Sequence, residues 1–541
     1  MKTFLLPIIL MFFAACQSLP QADYILHHGK IYTCDSSFLV VEAVAVKDGK
    51  ILATGSNQEI LNGFKADSTV DLQNQAVYPG LIDAHAHFYG YGKGIFEVNL
   101  WGCSSEVEMI QRVKEFAERN PNLPWIIGRG WDQNLWTNKS MPNFNLLNGL
   151  KLSQPVFLTR VDGHAALVNE VAWNMVDPKN NPALGGKVVL YYGKFSGLLI
   201  DGAMDLVQNI IPQPSKEDME KYLLSAQKNC LAEGMVALHD AGLKSNIIDA
   251  MHELKKSGNL KMDFHLMMDG TDETTLNKYL KSPIVEDGFL VKSVKLYADG
   301  ALGSRGALLK HEYHDRHDYY GIRVTSLDSM EKVARRCQEN GIQLCTHAIG
   351  DSANRDVLRI YSQLIQKGNP LRWRIEHAQI VDPADFPLFK QYSIIPSVQP
   401  SHATSDHAWA PDRLGTYVTR GYQYKTLWDC NGFLPLGSDF PVESIRPVLQ
   451  FYAAIARKTT DGKPQGGFQM NEALTRQQAL LGLTRFAAYS MQMDDQMGSI
   501  EKGKWAHFTV FDQDIMSISV EKIPNVSTKY TIIRGNIAYS K

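Results

Sequence analysis

Two histidines one residue apart, His85 and His87, close an apolar run that starts at Pro79-Gly80. On a β-strand, residues i and i+2 face the same side, so both imidazoles can reach one metal ion. Pro and Gly punctuate the entry to that strand. The pattern reads as a metal site at a strand end. Taken alone it also fits two ordinary strand histidines, so further ligands must be sought at other strand ends.

Four later segments supply them. Lys295 lies in KLYADGALGSRGA, His347 in THAIGDSANRDVL, His377 in RIEHAQIVDP and Asp439 in PLGSDFPVES. Imidazole nitrogens and carboxylate oxygens suit zinc or a similar divalent ion. A lone Asp in such a place is ordinarily a cap or turn former, and a lone Lys an ion-pair residue. It is their joint occurrence that points to chemistry.

The elements that would position these residues alternate between strands and helices. Candidate strands cover 80–86, 235–239, 262–268, 291–297, 343–347, 373–377, 393–398 and 433–436, with helical patterns such as 216–233, 326–340 and 352–367 between them. Eight βα units predict an α/β fold of the (β/α)8 TIM-barrel type, with its active site at the C-terminal strand ends. Short strands with hairpin turns occupy 24–26, 30–33, 43–47, 50–55 and 69–71, and again 505–511, 528–534 and 536–539. Both chain ends are therefore expected to form one composite β-sandwich, 22–79 with 490–541, beside a hydrolase barrel over 80–489. An aromatic-rich insertion at about 89–214 follows strand one and is expected to lie over the active site.

Composition bounds the rest. With 541 residues, 44% hydrophobic and 21% charged, the chain is a folded protein too long for one ordinary core. A formal net charge of −2 gives no footprint for a nucleic-acid partner. Lys2 and the apolar run to Ala15 read as a signal peptide over 1–15. The small residues before Cys16 resemble a lipoprotein processing site, so a lipid-anchored protein of the bacterial cell envelope, facing the periplasm, is expected. The other six cysteines are irregularly spaced, without CxxC, and are expected to be mostly buried thiols.

The blocks quoted above, with PSVQPSHATSD and the final LTRQQALLGLTRFAAYSM and MGSIEKGKWAHFTVFD, resemble the amidohydrolase superfamily. More narrowly they are similar to its N-substituted formamide deformylase-like branch, often labelled amidohydrolase family 3. The resemblance implies that His85 and His87 hold a buried metal ion and that His347 and His377 hold a second, both most simply zinc. It implies that Lys295 carries a CO2-derived carbamate bridging them; an ammonium there would repel the metals. Asp439 would bind the first metal, take a proton from the attacking hydroxide and pass it to the leaving nitrogen. His164 would contact the substrate carbonyl, and Trp131, Gln399 and His402 would line the pocket, each against a structural alternative. Arg305 is expected to organise a loop with Asp299 and has a lesser claim on the substrate. His239, at the end of strand two, is read as structural. The implied activity is hydrolysis of a C–N bond in a small amide, N-acyl or N-formyl substrate, and the implied assembly is a homodimer. Two other readings stay open: a deaminase or cyclic-amide hydrolase of the same superfamily, and a non-catalytic ligand-binding envelope lipoprotein.

Overall fold

The computed structural model describes residues 19–161, 163, 165–176, 186–365 and 368–541. The expected signal segment with Cys16, and also His164, lie outside the described residues.

Seven parallel strands pair in chain order: Leu81–Ala86, Met235–Leu243, Asp263–Asp269, Phe289–Tyr297, Gln343–Ala348, Arg374–His377 and Ile395–Ser397. The first is buried along its whole length, as expected of a strand covered on both faces. The expected eighth strand, 433–436, is reduced to one parallel bridge between Val398 and Leu436. Pro435 has no N–H to offer, and the Leu436 N–H goes to Gly482 O, so a regular ladder cannot extend. Closure is still achieved. Gly437 N donates to Val398 O at 3.0 Å on one side, and Ala84 N donates to Leu436 O at 3.1 Å on the other.

Helices between the strands start on the caps that the sequence supplies. Ser215 with Asp218 forms a capping box for Lys216–Ala232, and Ser326 caps Leu327–Glu339. The helix expected over 352–367 starts one residue earlier and spans Asp351–Leu364.

The chain ends build two sheets, the first from the N-terminal segment alone and the second from both ends. One joins Gln21–His27, Ala43–Lys47, Lys50–Gly55 and Lys65–Asp71. The other interleaves Lys30–Tyr32 and Ala76–Pro79 with Phe508–Phe511 and Thr528–Ile533. A common core of Leu26, Val44, Ile51, Val77, Phe508, Val510 and Ile532 lies between them. The hairpin at Lys47-Asp48-Gly49-Lys50 places Asp48 at φ 50 and Gly49 at φ 71, the positive-φ pair that a tight two-residue hairpin requires. Asp263, at the start of strand three, ties this unit to the barrel through His507 Nε2 at 3.0 Å and Arg534 at 3.2 Å.

The insertion builds its own six-stranded sheet, running from Gly186–Tyr191 through Val156–Arg160 to Val98–Asn99. Trp125, Trp131, Trp136, Phe116 and Phe157 lie in that unit's core, whereas Trp101, Tyr191 and Tyr192 are exposed. Trp131 is fully buried and donates its indole N–H to Leu158 O at 2.8 Å; Trp136 donates to Cys103 O at 3.1 Å. The expected substrate role of Trp131 is therefore corrected: a large ring was needed to fill a separate layer. The described cysteines are free thiols, five buried and Cys430 partly so.

Candidate metal centre

Strand one delivers its histidines as the two-residue period predicts. His87 Nε2 lies 3.1 Å and His85 Nε2 3.4 Å from the same oxygen, Asp439 Oδ1. Asp439 itself comes from the tight segment that replaces strand eight. Its φ of 62 is left-handed, an uncommon conformation for a non-glycine residue and one that clusters at functional sites. Three features hold it there. Asp439 N donates to His85 O at 2.8 Å. Buried Asp83 accepts from Ser438 N at 3.0 Å and from Ser438 Oγ at 2.6 Å. At Gly437 an added Cβ would fall 2.5 Å from His85 N, so only glycine lets the two strands approach.

Lys295, on strand four, is 1% exposed, and its Nζ lies 3.2 Å from His85 Nε2. Burial lowers the pKa of its amine, favouring the uncharged form. His377 ends strand six at φ 72. That turn breaks the strand alternation and brings its ring 4.5 Å from His347 and 5.1 Å from His85, centroid to centroid. His377 Nδ1 is held by Gln399 Oε1 at 2.7 Å, leaving Nε2 for a metal ion. Burial pushes His347 down to about 3 and His377 well below the usual imidazole range, so both stay neutral, the form that binds metals.

The donor set suits a divalent cation. One ligand atom from each of His85, His377 and Asp439 lies within 4.8 Å of the others, all three residues being buried. Asp439 Oδ1 and His347 Nε2 are buried without a hydrogen-bond partner. His347 Nε2 comes within 3.5 Å of Asp299 Oδ1 but lacks hydrogen-bond geometry. Burial alone would raise the Asp439 pKa; the nearby imidazoles of His402, His85 and His87 outweigh it and hold the carboxyl well below its ordinary range.

Gln399 and His402 both sit beside the ligands. His402 Nε2 lies 3.4 Å from Asp439 Oδ2, and its Nδ1 lies 3.1 Å from Glu443 Oε1. Arg305 does not pair with Asp299. Its guanidinium binds Asp315 at 3.0 and 2.8 Å, and Arg413 binds the same carboxylate. Asp299 instead accepts backbone N–H groups from Leu308, Ile349 and Gly350, at 2.8, 3.0 and 2.8 Å. A buried carboxylate facing three unpaired amides is better satisfied by them than by one distant guanidinium. His239 is structural, as expected: it contacts Ser293 Oγ at 2.9 Å and Arg374 at 3.1 Å, and stacks on His265.

The sequence reading missed Glu376 and Arg374. Both are fully buried. Glu376 Oε2 meets His85 Nδ1 at 2.5 Å and Arg374 Nη2 at 3.0 Å. Arg374 also reaches Ser490 Oγ at 3.0 Å and contacts Ala84 O. Glu376 fixes the tautomer and ring orientation of His85, as the outer carboxylate of a carboxylate–histidine–metal triad would. The signal was present in RIEH, where Arg374 and Glu376 stand two apart on one strand face.

Residues 68–539 match the amidohydrolase family. LONG AFTER FAR-RED 3 of Arabidopsis thaliana is 31% identical over 90% of this chain and 87% of its own length. N-substituted formamide deformylase of Arthrobacter pascens is 23% identical over 96% of this chain and 98% of its own. An uncharacterized metal-dependent hydrolase from Pyrococcus horikoshii superposes with a TM-score of 0.78, at 25% identity over 92% of this chain and 99% of that one. Barrel, ligand set and match together make this chain a member of the amidohydrolase family, a metal-dependent hydrolase.

Proposed function

We propose that this protein hydrolyses a C–N bond in a small amide, N-acyl or N-formyl compound. The observation that carries the proposal is Asp439, held ionised among His85, His87 and His402 with one oxygen uncommitted. The deformylase relative, similar along nearly the whole of both chains, supports the choice of bond.

His85, His87, Lys295, His347, His377 and Asp439 would hold two divalent ions, most simply zinc. Bound there, the metal supplies Lewis acidity toward the carbonyl oxygen and hydroxide at neutral pH. The protein's own groups do the rest. Asp439 accepts the proton released as water oxygen bonds to the carbonyl carbon. It returns that proton to the nitrogen as the C–N bond breaks, giving a carboxylic acid and an amine; the acid then loses its proton to solvent. Gln399 keeps His377 oriented, and Glu376 does the same for His85. Lys295, buried and shifted toward the neutral amine, is suited to attack CO2; a new N–C bond forms, one proton leaves, and two acceptor oxygens result.

The test is a panel of N-formyl, N-acetyl and longer N-acyl amines offered to protein loaded with zinc and bicarbonate, following amine release. Hydrolysis of at least one class is expected, lost in Asp439→Asn while metal is retained. No turnover across the panel with metal bound would overturn the assignment, as would full activity in Asp439→Asn.

A further inference from the structure

A second set of metal-ligating side chains lies on the β-domain, apart from the barrel centre. His27 ends the strand Gln21–His27, and Asp71 ends its parallel neighbour Lys65–Asp71; the two are direct register partners. His28 follows at φ 51. In an extended chain, consecutive residues point to opposite faces. The left-handed turn at His28 breaks that rule, so that both imidazoles converge on the same side as the carboxylate. His28 Nδ1 lies 3.1 Å from His27 Nδ1 and 3.2 Å from Asp71 Oδ2.

A single ring nitrogen carries one proton or one lone pair, not both. One hydrogen bond therefore serves either the His27 contact or the Asp71 contact, whereas a cation among the three atoms serves all of them. The spacings fit that alternative. Metal–nitrogen and metal–oxygen bonds of about 2.0–2.2 Å place adjacent ligand atoms roughly 2.9–3.4 Å apart. The same residue types stand 3.1 and 3.4 Å apart where His87 and His85 meet Asp439. Outer contacts fix the ligands as well. Asp71 Oδ1 accepts from Gln73 N at 2.8 Å, so that Oδ2 faces His28, and His28 N donates to Asn57 Oδ1 at 2.8 Å.

We propose that His27, His28 and Asp71 form a second metal site, for a borderline divalent transition ion such as Zn(II), Ni(II) or Cu(II). Two nitrogens and one oxygen exclude a magnesium or calcium site, which takes oxygen ligands. Side chains of His28 and Asp71 are about half exposed, at 50% and 51%, so remaining coordination positions face solvent. The ion clamps the ends of two neighbouring strands in the outer sheet.

The experiment starts from full-length protein whose barrel centre is already loaded and whose excess metal has been removed. Zn(II) is titrated calorimetrically into wild type, His27→Ala, His28→Ala and Asp71→Asn, and Cu(II) binding is followed by electron paramagnetic resonance. Wild type should take up one further equivalent with Kd below about 1 mM, weakened at least about tenfold in each variant. The Cu(II) spectrum should show two imidazole nitrogens in wild type and one in His28→Ala. Activity should be the same in all four proteins, because these residues take no part in the barrel centre. Equal uptake in wild type and variants, Kd above that limit, or unchanged nitrogen coupling in His28→Ala would each overturn the proposal. Asp71→Asn keeps the shape of the side chain, so loss of binding there reports the carboxylate rather than misfolding.

Discussion

Replacing Glu376 by Gln probes how the site would hold a metal without replacing any of the candidate ligands. The carboxylate is fully buried between Arg374 and His85. Burial alone would raise its pKa; Arg374 and then His85 hold it well below the ordinary range, so it is an anion in the folded protein. The amide keeps the shape but removes the charge, and its NH2 must face a donor. Two consequences can be sized. Orientation and basicity of His85 weaken, and loss of such an outer carboxylate raises the metal Kd about 10- to 100-fold, roughly 1.4–2.7 kcal/mol. Arg374 is left as an uncompensated buried cation, which costs about 3–5 kcal/mol of stability. The assay is zinc partition against a chelator of known affinity, paired with urea unfolding. At saturating zinc, turnover should largely recover, since Glu376 does not reach the substrate side. A folded Glu376→Gln protein with zinc affinity within about twofold of wild type would refute the reasoning.

Three further outcomes are expected. Gly437→Ala drives a Cβ to within 2.5 Å of His85 N and displaces Asp439; the cost is about 1–3 kcal/mol of stability and about 100-fold in kcat, measured at saturating zinc. Asp263 is held at about 2, below its ordinary 3.8: burial opposes this, but His507, Lys255 and Arg534 prevail. A depressed carboxylate stabilises above its unfolded pKa and loses that contribution as pH falls through the folded value. About 2–3 kcal/mol should therefore disappear between roughly pH 4 and pH 2, and Asp263→Asn should flatten that limb in acid-unfolding curves. Trp131→Phe removes the indole N–H bonded to Leu158 O and should cost about 1–3 kcal/mol with KM unchanged; a raised KM would restore a substrate role for that ring.

Much of this protein is readable before folding is considered. The strand period alone put His85 and His87 on one face, and both reach Asp439 Oδ1. The βα alternation predicted the barrel, because strands covered on both faces must be apolar and the helices between them carry their own caps. The hairpin at Asp48-Gly49 was legible because two positive φ values admit few residue types. Long-range pairing was not legible. That Glu376 braces His85, 291 positions away along the chain, follows from two strands meeting across the barrel rather than from local pattern. The same holds for Arg305, whose partner is Asp315 rather than Asp299, and for Trp131, whose ring fills the core of the insertion. Strand eight failed as a strand because the N–H of Leu436 found Gly482, a competitor that only the closed fold presents. Local sequence determined which residues could be ligands and which element carries each. The tertiary structure decided which of them converge, because left-handed turns at His377 and Asp439 cost free energy that only the surrounding packing and hydrogen bonds can offset.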